Sequence, residues 1–156
     1  MCTAVRFTDK AGNFYFGRNL DWGCGFGEQV CIVPRGHAWK SAFSRELKTK
    51  SAIVGSAVVM PTDEIPPLFF DCANEDGLAV GGLSFAGYAK YSENAVEGKT
   101  NVATYELPLW ILTQFTTVDE VEEVTKNMNL VAVKIGGMDP TPMHWIVTDK
   151  ERSIVI

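Results

Sequence analysis

A cysteine stands directly behind the initiator methionine in MCTAVRF, and an arginine and an aspartate follow in the aromatic stretch NFYFGRNLDW. Cys2, Arg18 and Asp21 are residue types from which an activated nucleophile can be built. A thiol at its ordinary pKa of about 8.5 is only a few per cent thiolate at neutral pH. It needs a base within hydrogen-bond reach or through one water. Removal of Met1 would supply one, the α-amino group of Cys2, whose pKa of about 7.7–8.0 suits general-base work near neutrality. Methionine is commonly removed ahead of a residue as small as cysteine. Arg18 would then stabilise the thiolate, and Asp21 would orient the ammonium formed when the amine takes the proton. The two histidines, His37 and His144, stand in no evident relation to Cys2. On spacing alone the alternatives stay open: position 2 also suits a small apolar residue at a chain end, and an Arg–Asp pair on a strand also suits a structural ion pair.

Several elements must position these groups. CTAVRFT (2–8) alternates apolar and polar residues as a half-buried strand does. DKAGN (9–13) carries turn chemistry, and 13–22 returns as the second strand of a β-hairpin. In that pairing residue 18 sits near residue 4 and residues 20–21 near the start of the first strand, so Arg18 and Asp21 reach Cys2 without any long-range contact. GCGFGE (23–28) is a loop flanking the site; it lacks the lysine and following helix of a phosphate-binding loop. Further strands are expected at 29–35, at 51–60 and within 68–85, the last splitting into two around the Asn74–Gly77 turn. PTDEIPPL (61–68) reads as an extended loop and 87–101 as polar and irregular. Helices come late: 103–115 with Pro108 near its first turn, then 116–128 with a threonine N-cap, early acids and valines 118, 121 and 124 on one face. Residues 143–156 form a closing hairpin that turns at 149–152. Strands, then helices, then strands predict an α+β layered domain with a mostly antiparallel sheet.

Composition narrows the function. A chain of 156 residues with 46% hydrophobic content is long enough for one core and too short for two independent domains, so 1–156 reads as one unit. A net charge of -5 with scattered charges excludes the basic face a nucleic-acid partner needs. No apolar run approaches the ~20 residues of a membrane span. No basic segment followed by an apolar one opens the chain, so the default address is the cytosol. The four cysteines, Cys2, Cys24, Cys31 and Cys72, include no C-x-x-C pair. They are expected as free thiols, with neither metal nor cofactor. The chain stops on an apolar strand at Ile156, which points to a fragment or to a strand covered by another polypeptide.

MCTAVRF followed by YFGRNLDW closely resembles the start of the choloylglycine hydrolases, the family of bile salt hydrolases and penicillin V acylases. The resemblance continues through FFDCANEDGLAVGGLSFAGYA (69–89), NVATYELPLWIL (101–112), TTVDEVEEV and HWIVTDKERSIVI, essentially the whole chain. It implies an N-terminal nucleophile hydrolase with an αββα four-layer sandwich, here a partial domain. It implies catalytic roles for Cys2, Arg18 and Asp21, which match the family's first cysteine, the arginine of its GRN motif and the aspartate three residues on. It implies an amidase that cleaves glycine- or taurine-conjugated bile salts through a thioester. It further implies a small-molecule amide substrate, no cofactor, and a homo-oligomer in full-length form. The rivals are a penicillin V acylase-type amidase, an inactive truncated fragment or non-catalytic binding half-domain, and a redox or metal protein built on the cysteines.

Two departures bear on this. Ser84 stands where bile salt hydrolases usually carry asparagine and penicillin V acylases tyrosine, at a position the family uses in its oxyanion hole. A backbone N–H is supplied equally by serine; loss of a side-chain donor would cost roughly 2.7–4 kcal/mol of transition-state stabilisation. The family's chains are also roughly twice as long, and the remaining half carries an oxyanion-hole asparagine and a further arginine, so residues 1–156 alone are expected to be inactive. Trp22, Phe26, Met60 and Leu68 lie on or beside loops next to the site and could line an apolar pocket for a steroid or aryl group, as similar loops do in the family. Each equally suits an ordinary core position. Asp71 and Asn74 read as serving the turn, Cys72 as core and His144 as structural. Asp119, Glu120, Glu122 and Glu123 read as a solvated helix face favoured by the dipole.

Overall fold

The structure, a computed structural model, describes residues 2–43, 46–62 and 64–156. Among the described residues twelve strands and two helices follow in chain order. They are β1 (Thr3–Thr8), β2 (Phe14–Asn19), β3 (Gln29–Val33), β4 (Ala38–Lys40), β5 (Glu46–Lys48), β6 (Ile53–Val58), β7 (Leu68–Asn74), β8 (Ala79–Ser84), β9 (Thr100–Ala103), α1 (Leu107–Gln114), α2 (Val118–Thr125), β10 (Met128–Val131), β11 (Met143–Thr148) and β12 (Ser153–Val155). A 3-10 turn, Thr104–Glu106, leads into α1.

The centre is a six-stranded antiparallel sheet in the order β12-β11-β8-β7-β6-β3. Side chains alternate across it. Val80 and Val147 join the core with Leu107, Leu109, Ile111 and Leu112 of α1. Gly81 instead meets Phe16 and Arg18 of the β1–β2 hairpin. The layers formed by these residues are therefore helix, large sheet and hairpin, part of the expected sandwich. The apolar α1 segment is buried almost throughout, including Pro108 at its start, where a missing N–H costs nothing.

The hairpin pairs as expected, with Ala4 opposite Arg18. Asp9 closes its turn, accepting from the N–H groups of Ala11 (2.9 Å) and Asn13 (2.8 Å), while Gly12 takes a positive φ of 86°. Arg6 fastens the hairpin to the large sheet by donating to the carbonyls of Asp149 and Lys150 in the β11–β12 turn.

Several elements differ from expectation. β9 lies at the end of the stretch read as irregular, and β10 begins where the second helix was expected to continue. They pair in parallel, Val102 opposite Leu130, with both helices as their crossover. Parallel partners need such a long connection, so neither four-residue strand announces itself locally. β4 and β5 form a further antiparallel pair that sequence analysis did not anticipate. The second helix is shorter than expected: it starts only after Thr117, whose hydroxyl accepts from the Glu120 N–H at 3.3 Å while Glu120 accepts in return from the Thr116 and Thr117 N–H groups, and it ends at Thr125 because Met128 already belongs to β10. Its acids are not merely solvated, since Arg152 pairs with Asp119 and Glu122 and ties the last turn to the helix. Among the described residues no helix is long and apolar enough to cross a membrane. The expected loss of Met1, and Asp63 in the proline-rich loop, lie outside the described residues.

Candidate active site

The first hairpin delivers Cys2 and Arg18 side by side to the end of β8. Asn19 anchors the start of β1 by accepting from the Thr3 N–H at 2.7 Å, which fixes the chain immediately after Cys2. Arg18 comes from β2 and lies flat on β8. Gly81 makes this possible, since a Cβ there would sit 2.9 Å from the tip of Phe16 and 3.7 Å from Cγ of Arg18, and the backbone carbonyl of the next residue, Gly82, accepts a hydrogen bond from Nη2 of Arg18. The Arg18 side chain is 3% exposed, and its Nη1 donates to Oδ2 of Asp71 on β7 at 3.3 Å. A buried guanidinium requires such an acid partner.

The electrostatics at sulfur favour thiolate. Burial pushes the Cys2 thiol up, but hydrogen bonds from the backbone N–H groups of Asp21 and Ser84, together with the Arg18 guanidinium, outweigh it and hold the thiol below the ordinary cysteine range. Cys72 is the contrast: fully buried, and pushed well above that range by burial and then by the Asp71 charge, it is an inert core thiol as expected. All four cysteines are free, and among the described residues no three metal-ligating side chains gather closely enough to hold an ion.

Cys2, Arg18 and Ser84 open onto a cavity of about 420 Å³, within the size range of small-molecule sites. Trp22, Phe26, Met60 and Leu68, named from sequence, all line it. Trp22, Phe26 and Phe70 pack in a row of mutually tilted rings with centroids 5.8 Å and 5.4 Å apart. Asp21 is brought to Cys2 through its backbone N–H but does not line the cavity. Sequence analysis missed the far wall, formed by Tyr105, Ile135, Met138, Met143 and Trp145. These residues arrive from the second half of the chain by tertiary packing. The loop that carries two of them turns at Gly136 and Gly137, both at positive φ, between reciprocal backbone hydrogen bonds of Ile135 and Met138.

Asp71 has a different role from the one expected from sequence. It does not serve the 74–77 turn; it sits within β7 and pairs with Arg18. A lone acid in the apolar run LFFDCA was a readable signal, because such a group must find a partner. Burial raises its carboxyl pKa, partly opposed by Arg18 and by the Ser56 N–H. Asn74 does serve the turn, accepting from the Leu78 N–H at 3.0 Å. His144 packs edge-on against Phe85 with centroids 4.5 Å apart, away from the cavity, as a structural residue does.

Known proteins match this arrangement. The model of the linear amide C–N hydrolases, choloylglycine hydrolase family, matches residues 2–156. The chain is 48% identical, over its whole length, to 49% of a bile salt hydrolase/transferase from Bifidobacterium longum subsp. longum. It is 45% identical to a conjugated bile acid hydrolase from Lactobacillus gasseri, again over all of this chain and 49% of the relative. The crystal structure of the C2A mutant of the conjugated bile acid hydrolase from Clostridium perfringens superposes with a TM-score of 0.91 at 36% identity, covering 99% of this chain and 47% of that one. Penicillin V acylase from Agrobacterium tumefaciens gives 0.72 at 17% identity, over 100% of this chain and 49% of that one, which shows a shared fold. The chain thus spans about half the length of the curated relatives it matches. On a match that runs from the cysteine at position 2 to the last strand, the chain belongs to the choloylglycine hydrolase family of linear amide C–N hydrolases.

Proposed function

We propose that this protein is an amidase that cleaves glycine- or taurine-conjugated bile salts, with Cys2 as an N-terminal nucleophile once Met1 is removed. One observation carries the reading: a thiol held below its ordinary pKa by Arg18 and two backbone N–H groups faces a largely apolar cavity of about 420 Å³. That pairing suits an amide whose acyl side is a steroid. The names of the bacterial relatives support the same substrate class.

The proposed steps follow from the groups present. The freed α-amine of Cys2 takes the thiol proton, and Asp21 and Arg18 stabilise the resulting ammonium and thiolate. Sulfur attacks the amide carbonyl, forming a C–S bond and placing negative charge on oxygen. A preorganised N–H such as that of Ser84 is suited to meet this charge, since it needs no reorganisation at the moment of reaction. The serine side chain is not required for that contact. Collapse breaks the C–N bond, and the ammonium returns its proton to the departing glycine or taurine nitrogen. Water then attacks the thioester, the amine accepting its proton, and the bile acid leaves with the thiol restored.

The test is amine release by the whole protein from glycocholate, taurocholate and penicillin V. Glycine or taurine should appear, and Cys2→Ala should abolish release. Turnover of penicillin V alone would assign the acylase activity instead. Quenching of tryptophan fluorescence by bile salt with no amine released from any substrate would favour a binding half-domain.

A further inference from the structure

Resting on the reading of Cys2 and Arg18 above, we infer that Asp71 is a positioning residue for the nucleophile. By anchoring the Arg18 guanidinium it sets how strongly that cation stabilises the Cys2 thiolate.

The backbone around Asp71 is shaped to hold its carboxylate in one place. β7 carries one extra residue at this point: Ser56 of β6 faces Asp71, but the next residue, Ala57, faces Phe69. Such a bulge re-aims side chains on either side of it. Here it turns Phe70 into the substrate cavity and leaves Asp71 on the hairpin side of the sheet, against Arg18. Gly55 allows the close approach, since a Cβ there would lie 2.2 Å from the Asp71 carbonyl oxygen and 2.5 Å from Cβ of Cys72. That contact is with backbone and cannot relax by a rotamer change.

The guanidinium depends on this anchor. Nη1 binds Asp71 and Nη2 the Gly82 carbonyl, while Nε is buried with no hydrogen-bond partner among the described residues. Asp71 therefore gives the group a charged contact, beside the neutral Gly82 carbonyl. Strand β6 brings only the Ser56 N–H, and β8 brings no ionisable side chain. Arg6 of the hairpin is committed to the Asp149 and Lys150 carbonyls. Cys72, the next residue on β7, is a buried thiol in the core. The lever Asp71 works on is thus Arg18, and the group Arg18 faces is Cys2.

Without the carboxylate, the guanidinium loses its charged anchor, and the sulfur loses a fixed cation. A rise of one unit in thiol pKa cuts the thiolate fraction tenfold below both midpoints, while intrinsic nucleophilicity rises about threefold. The net fall in alkylation rate is then about three- to fourfold per unit.

The experiment measures iodoacetamide alkylation of Cys2 against pH, read by mass spectrometry of the N-terminal peptide so that the other thiols do not contribute. It compares wild type, D71A, D71N, D71E, R18Q and the double variant R18Q/D71A. We expect D71A to raise the alkylation midpoint towards that of R18Q and to slow the reaction at least threefold at pH 6.5. D71N, which keeps the shape without the charge, should move in the same direction, and D71E should recover part of the loss. In the R18Q background, D71A should change the rate less than 1.5-fold. A purely structural ion pair predicts instead that the midpoint stays fixed in D71A and D71N while stability alone falls, and that result overturns the inference. Equal and additive shifts in the two backgrounds also overturn it, since Asp71 would then act on Cys2 without Arg18. If R18Q itself leaves the midpoint unchanged, the fault lies deeper, in the assignment of Arg18 to thiolate stabilisation.

Discussion

Replacing Gly81 by alanine tests whether the site depends on the hairpin lying flat on β8. The added Cβ would sit 2.9 Å from Cζ of Phe16, 3.6 Å from Ile146 and 3.7 Å from Cγ of Arg18. Carbon atoms rest at about 3.5–4.0 Å, so the Phe16 ring, packed between hairpin and sheet, must move away by roughly 0.6–1 Å, either by turning or by lifting β2 with it. Overpacking of this kind costs about 1–3 kcal/mol, or roughly 2–12 °C in Tm for a domain of this size. The catalytic effect should be larger than the structural one. Arg18 lies two residues beyond Phe16 on the same strand, and a displacement of about 1 Å at a reacting centre can cost on the order of a hundredfold. The assay pairs thermal unfolding with the Cys2 alkylation rate at pH 6.5. Gly55→Ala serves as the severe control, because its Cβ meets backbone at 2.2 Å. Equal alkylation rates in Gly81→Ala and wild type, with Tm lowered, would refute the idea that the bare Gly81 face sets the Arg18 geometry.

Phe26→Ala removes an apolar ring from the cavity wall, between Trp22 and Phe70; on the proposed function the lost apolar contact, about 1.5–3 kcal/mol when complete, should raise KM for bile salt about tenfold or more with kcat little changed in steady-state kinetics. Glu106→Gln strikes a fully buried carboxylate that accepts from the Ser41 hydroxyl at 3.1 Å and from the Ala42 and Ala103 N–H groups at 2.9 and 3.2 Å; each donor left unmet costs about 1–3 kcal/mol, measurable by urea unfolding. Glu75, hydrogen-bonded by Arg35 and by the Ala52 N–H, has its pKa lowered to about 2. Its folded pKa lies below its unfolded one, so its contribution is present above about pH 4.3 and lost as pH falls towards 2, and Glu75→Gln should flatten stability against pH in that window.

Much of this was readable because the chemistry is local. Cys2, Arg18 and the turn at Asp9–Asn13 belong to one hairpin, whose register follows from alternation and turn residues alone. The capped helix at Thr117 and the turns at 74–77 and 149–152 were equally local. What escaped were contacts made only by the fold. The β9–β10 pair needs a crossover of two helices, so its strands carry no pattern a short window can show. The far wall of the cavity comes from the 3-10 turn, the 135–138 loop and β11, all more than a hundred residues beyond Cys2. Asp71 lies between the two cases: its isolation in an apolar strand was visible, but its partner 53 residues away was not.

The central claim rests on the chain's first residues, and intact-protein mass spectrometry with limiting iodoacetamide at pH 6.5 reads them directly. The account predicts a mass lower by one methionine and a first label on Cys2, ahead of the exposed Cys24 and of Cys31 and Cys72. Retention of Met1, or labelling of Cys24 before Cys2, would contradict it.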